Sequence, residues 1–161
     1  SKLRGTFAEL GDQPPLIALS AGLFGYGLAA GDRKLARTGL RMLAAHMLAT
    51  AIKGFVKDEV DRTRPGEALT GGEYKLGRGH SEEGALRSMP SGHSAGLAAV
   101  ARALGREYPA AALPAAGAAA SVIAAQLPSG NHFVSDVAAG SAIGLVSEAL
   151  VAKLMGPPQP A

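Results

Sequence analysis

Three short segments, far apart along the chain, carry residue types that together could handle a phosphoryl group. They are residues 57–65 (KDEVDRTRP), 90–93 (PSGH) and 126–136 (QLPSGNHFVSD). In the first, Lys57 and Arg64 are seven positions apart, which predicts one helical stripe with Asp61 between them. Two cations on one helix face repel each other unless an anion sits there. Arginine offers a planar fork to phosphate oxygens and lysine a compact point charge. The competing reading is a solvated helix end, with Lys57, Asp58, Glu59, Asp61 and Arg62 forming local ion pairs.

In the second segment Ser91 is a natural N-cap for the apolar run behind it, and Gly92 allows close backbone approach. Amides at a helix start bind anions, aided by the helix dipole. His93 falls in the first turn, where an imidazole could protonate a leaving oxygen. An ordinary capped helix with a surface histidine would look the same. In the third segment, the His132-x-x-x-Asp136 spacing predicts a carboxylate within one turn of the ring. It could set the tautomer and leave one nitrogen free to attack. The plain alternative is an acidic residue in a first helical turn.

Five apolar stretches must position these groups: residues 14–31, 35–57, 91–104, 108–127 and 134–155. Pro65 is expected to end the second helix. Residues 66–89 are Gly-rich and polar and are expected to form one long active-site loop. Residues 1–13 are expected to be a polar lead-in and residues 156–161 (GPPQPA) a disordered tail, around one domain spanning 1–161. His46 is expected to be a packed or polar-contact residue and His80 a loop residue.

The stretches approach the length of about 20 residues needed to cross a bilayer. A soluble Ala-rich bundle is the alternative, since mean hydropathy is only +0.15. Gly27-x-x-x-Gly31 and Gly140-x-x-x-Gly144 are small-residue pairs of the kind that bring membrane helices together. Threading the stretches alternately puts all three polar segments on one side. Arg33, Lys34, Arg37, Arg41, Arg102, Arg106 and Lys153 fall on the other, the pattern of a cytoplasmic face. The expected fold is therefore all-α: a membrane bundle of about five to six helices with the site at one end. The expected location is a bacterial inner membrane, with the site facing the periplasm or cell exterior.

The chain has no Cys, which excludes disulfides and thiolate metal sites. Its net charge of +3 is modest and its cations do not form a stripe, so nucleic acid is not an expected partner.

Taken jointly, these motifs resemble the type 2 phosphatidic acid phosphatase superfamily, which shares its site with vanadium haloperoxidases. The family pattern K-x6-RP is met by Lys57 and Arg64-Pro65, PSGH by residues 90–93, and H-x3-D by His132 and Asp136. The resemblance implies a membrane phosphohydrolase acting on a lipid phosphate or diphosphate without a metal or cofactor. Undecaprenyl diphosphate, phosphatidic acid and phosphatidylglycerol phosphate are the candidate substrates. It further implies that His132 attacks phosphorus to form a phosphohistidine, that Asp136 orients it, and that His93 protonates the leaving oxygen. Lys57, Arg64, Ser91 and Gly92 would hold the phosphate oxygens. The chain departs from the family at Ala125-Gln126, where Ser-Arg is the pattern. Gln126 can donate hydrogen bonds but supplies no charge. Arg62 or Arg87 could substitute. Two other readings remain: a vanadate-dependent haloperoxidase, and a non-catalytic lipid-phosphate binder.

Overall fold

A computed structural model describes residues 13–160 and shows six α-helices among them. They are α1 (Gln13–Ala30), α2 (Arg33–Glu59), α3 (Pro65–Leu69), α4 (Gly92–Glu107), α5 (Ala112–Gln126) and α6 (Val134–Met155). Residues 1–12 of the expected lead-in lie outside the described residues, and Gln13 already belongs to α1. Helix α4 packs against α2, α5 and α6, while α1 lies along α2.

The core is built from small side chains. Ala45, Ala49, Ala95, Ala99 and Ala103 are almost wholly buried. Such residues let helix axes approach closely. A methyl group built on Gly140 would lie 2.3 Å from the Ser91 carbonyl oxygen, and one on Gly144 would lie 2.3 Å from that of Ala95. This glycine pair thus seats α6 directly on the N-terminal half of α4.

Polar and apolar residues are distributed opposite to a soluble protein. Arg41, His46, Glu107 and Glu148 are buried, whereas Tyr26, Phe55, Leu113, Val146 and Leu154 are more than half exposed. Large apolar side chains facing outward over a charged interior suit lipid as the surrounding solvent. Two segments, Pro109–Ser129 and Val134–Met155, are long and apolar enough to cross a membrane, and residues 14–30 form a shorter apolar helix. Helix α2 has the length but carries charged residues along it, with Arg41 and His46 turned into the bundle. The protein is a membrane helix bundle.

Four features differ from the sequence expectations. Helix α2 stops at Glu59 and the chain becomes strand β1 (Val60–Arg62), which pairs antiparallel with β2 (Leu76–Arg78). Lys57 and Arg64 therefore share no helical stripe. Pro65 does not end α2; it opens α3, where its missing N–H costs nothing. The segment 66–89 is not a plain loop, because it holds β2 and a 3-10 turn, Gly84–Leu86. The tail is also not loose: the carbonyls of Met155, Gly156 and Pro157 accept hydrogen bonds from Arg37, and that of Gly156 also from Arg41.

Candidate active site

The three segments meet at one end of the bundle, formed by the C-terminus of α2 and the N-termini of α4 and α6. Their backbones are tied together. The Ser91 amide donates to the Asp136 carbonyl at 3.0 Å, and the Gly66 amide to the Gly130 carbonyl at 2.8 Å. Gly130 has φ +71, a left-handed turn that glycine adopts without strain, and it reverses the chain after α5.

His132 is buried, and its Nδ1 lies 2.7 Å from the backbone carbonyl oxygen of Ser88. A carbonyl only accepts, so Nδ1 carries the proton and Nε2 keeps its lone pair. Burial holds the pKa of His132 below its usual 6.5. The Ser88 carbonyl opposes that effect, the charges of Lys57 and Arg64 add to it, and Asp136 opposes it. The ring therefore stays neutral at pH 7.

Asp136 makes contacts other than the expected one. Its carboxylate accepts from Arg62 at 2.6 Å, from the Ser88 hydroxyl at 2.5 Å and from the Phe133 amide at 2.7 Å. It does not hydrogen-bond His132 directly. His132 precedes α6, so the four-residue spacing does not span a helical turn, and Asp136 instead closes the helix start at Phe133. The carboxylate reaches His132 through Ser88, whose hydroxyl it holds and whose carbonyl holds the ring. Sequence spacing pointed to neither Ser88 nor the Arg62–Asp136 pair. Arg62 is further fixed by Ser135 at 2.7 Å and by the face of Phe133 at 4.3 Å.

Arg64 stands beside the third segment, with Nε 2.7 Å from the Gly84 carbonyl oxygen and a terminal nitrogen 2.9 Å from Asn131 Oδ1. Lys57 lies in the electrostatic field of Lys53, Arg64, Arg87 and Asp136. Ser91 caps α4 and is fully buried; its oxygen accepts from the amide and the hydroxyl of Ser94. That leaves Ser91 its own hydroxyl proton to donate. Gly92 opens α4, where its amide has no intrahelical acceptor, and His93 follows in the first turn. Gln126 closes α5, is buried, and its Nε2 has no hydrogen-bond partner. Neither arginine near the motifs is unengaged: Arg62 is paired with Asp136, and Arg87 with Asp58 at 2.6 Å.

A family model for the PAP2 superfamily matches residues 38–158, a span that takes in every one of these groups. The chain belongs to the PAP2 superfamily. No curated protein matches it by sequence. The structure is similar to the crystal structure of a transmembrane PAP2-type phosphatidylglycerolphosphate phosphatase from Bacillus subtilis. The two share 26% identity at a TM-score of 0.66, over 96% of this chain and 75% of that one. A PAP2 protein with this membrane architecture is a membrane phosphatase of the lipid phosphate class.

Proposed function

We propose that this PAP2 protein hydrolyses a lipid phosphate monoester or diphosphate through a phosphohistidine formed on His132. The observation that carries the reading is the hydrogen bond from His132 Nδ1 to the Ser88 carbonyl, which aims an unprotonated Nε2 at a site flanked by cations. In the first step the Nε2 lone pair forms a bond to the terminal phosphorus while the bond from that phosphorus to the leaving oxygen breaks (the lipid hydroxyl oxygen of a monoester, the bridging oxygen of a diphosphate), and His93 gives that oxygen a proton. In the second step water attacks phosphorus, its proton passes to His93, the P–N bond breaks and inorganic phosphate leaves. Lys57, Arg64 and the Gly92 amide hold the equatorial oxygens, the positioning and charge stabilisation that phosphoryl transfer requires. Asp136 acts as a positioning residue through Ser88 and stabilises positive charge on the ring.

On this reading the site faces away from the cytoplasm, in a bacterial inner membrane. Arg33, Lys34, Arg102 and Lys153 at the opposite bundle end support that orientation. The chain has no native Cys, so single cysteines report sidedness cleanly. An impermeant thiol reagent should label Glu82→Cys in intact cells and Lys153→Cys only after permeabilisation. The reverse pattern would overturn the orientation.

The catalytic reading is tested with a phosphate-release panel: phosphatidylglycerol phosphate first, then phosphatidic acid, undecaprenyl diphosphate and a water-soluble diphosphate, each with and without a chelator. Release should be unaffected by chelation and abolished in His132→Ala. Alkaline quenching should trap a labelled phosphoenzyme in the wild type and none in that variant. Phosphate binding with no release from any substrate would make the protein a binder rather than an enzyme.

A further inference from the structure

We propose that Lys53 is a further phosphate-binding residue, a third cation standing over the N-terminus of helix α4. This rests on the phosphatase reading above and extends it to a residue outside the three segments.

Lys53 and Lys57 are four positions apart on α2, so their side chains rise from one face of that helix. The face points at the start of α4. A methyl group built on Gly92 would lie 3.2 Å from both Cδ and Nζ of Lys53. The ammonium therefore occupies the space directly above the first residue of α4. That helix end is itself electropositive, because the dipole of α4 points its positive end there and the Gly92 amide has no intrahelical acceptor. A cation packed against a helix N-terminus is unfavourable unless an anion lies between them.

No protein anion does so. Among the described residues, neither Lys53 nor Lys57 forms an ion pair or hydrogen bond. The nearby carboxylates are committed elsewhere, Asp58 to Arg87 and Asp136 to Arg62. Lys53 feels the charge of Arg87, and Lys57 feels Lys53, Arg64 and Arg87, opposed only by the weaker pull of Asp136. Lys53 over the α4 start and Lys57 one turn along thus form a pair of ammonium groups with no ion-pair partner among the described residues, which is the electrostatic form of an anion site. A tetrahedral phosphate there would take the Gly92 amide on one side and the two ammonium groups on another. Gln126, neutral and buried, brings no charge to this cluster. Lys53 supplies one from a helix the third segment does not include.

The test uses the full chain in detergent and inorganic phosphate as the probe, followed by isothermal titration. Lys53→Met should weaken phosphate binding about tenfold, the loss of one charge-assisted contact. It should lower kcat/KM for the best lipid substrate by about 100-fold. Lys53→Arg, which restores the charge, should recover phosphate affinity to within about threefold of wild type. Lys53→Gln replaces the methionine variant should that fail to fold. Unchanged phosphate affinity in Lys53→Met, or a Lys53→Arg as weak as it, overturns the proposal. Because the titration involves no turnover, a wild type that binds phosphate but hydrolyses no lipid would sink the phosphatase reading and leave the Lys53 comparison decisive.

Discussion

Ser88 joins His132 to Asp136 by two different atoms: its carbonyl oxygen lies 2.7 Å from His132 Nδ1 and its hydroxyl 2.5 Å from Asp136 Oδ2. The carboxylate is also the buried anion that neutralises Arg62. One side chain therefore serves the nucleophile's geometry and the local charge balance, and these two roles separate by mutation. Ser88→Ala keeps the carbonyl and removes only the hydroxyl. It should retain measurable phosphate release and lose about 1–3 kcal/mol of stability, since a buried carboxylate oxygen loses a donor. Asp136→Ala strands Arg62 and should cost about 3–5 kcal/mol. Thermal unfolding and kcat measured side by side check the ranking, with His132→Ala inactive yet folded.

The protonation of His132 sets the acid side of the pH profile. Its pKa is held below 6.5, first by burial. A group shifted that way stays unprotonated as pH falls through 6.5 and becomes protonated, losing its attacking lone pair, only at lower pH. The acid limb of kcat/KM, which reports the free enzyme, should therefore lie below pH 6.5. Lys57 contributes to the depression. In Lys57→Met the residual activity should show that limb displaced toward higher pH. A limb in the wild type above 6.5 would contradict a buried, cation-flanked nucleophile.

At the far end of the bundle, Arg41 is fully buried with Nε 2.8 Å from Glu107, while Arg106 binds Glu148 at 2.6 and 2.8 Å. Removing Glu107 leaves the fully buried Arg41 with only Glu148, 3.9 Å away, and removing Glu148 takes both hydrogen bonds from Arg106 and that second partner from Arg41. Glu107→Ala or Glu148→Ala should cost about 3–5 kcal/mol in detergent unfolding. Activity per folded molecule should be nearly unchanged, because the network lies far from His132. A loss of kcat without loss of stability would point to coupling between the two ends.

The seat of α6 on α4 gives a packing test that also reads out at the site. Gly140→Ala places a methyl group 2.3 Å from the Ser91 carbonyl oxygen, so the two helix starts must separate. Stability and phosphate release should fall together. Gly117→Ala in α5 is the control: nothing lies within 4 Å of the added carbon, and neither property should drop. Unfolding curves and release assays on both variants distinguish local packing from a general intolerance of glycine replacement.

The apolar stretches, the helix starts at Ser91 and ahead of Asp136, and the three motif segments were all legible in the chain. Their causes are local: side-chain periodicity, caps, prolines and residue chemistry act within a few positions. The convergence of the segments at one bundle end followed from alternating the helices. Local reasoning failed where the chain left the helix. Treating residues 57–64 as two helical turns put Lys57 and Arg64 on one stripe, whereas pairing between β1 and β2 draws Val60–Arg62 out into a strand. The partner of each polar atom was also beyond the sequence. His132 is oriented from Ser88, 44 residues away, and Asp136 is held by Ser88 and Arg62 across 48 and 74 residues. Spacing limits contacts only along one continuous helix. Among several cations within reach of a site, only the packing of α2 over Gly92 decides that Lys53 stands there while Arg62 and Arg87 are drawn to carboxylates.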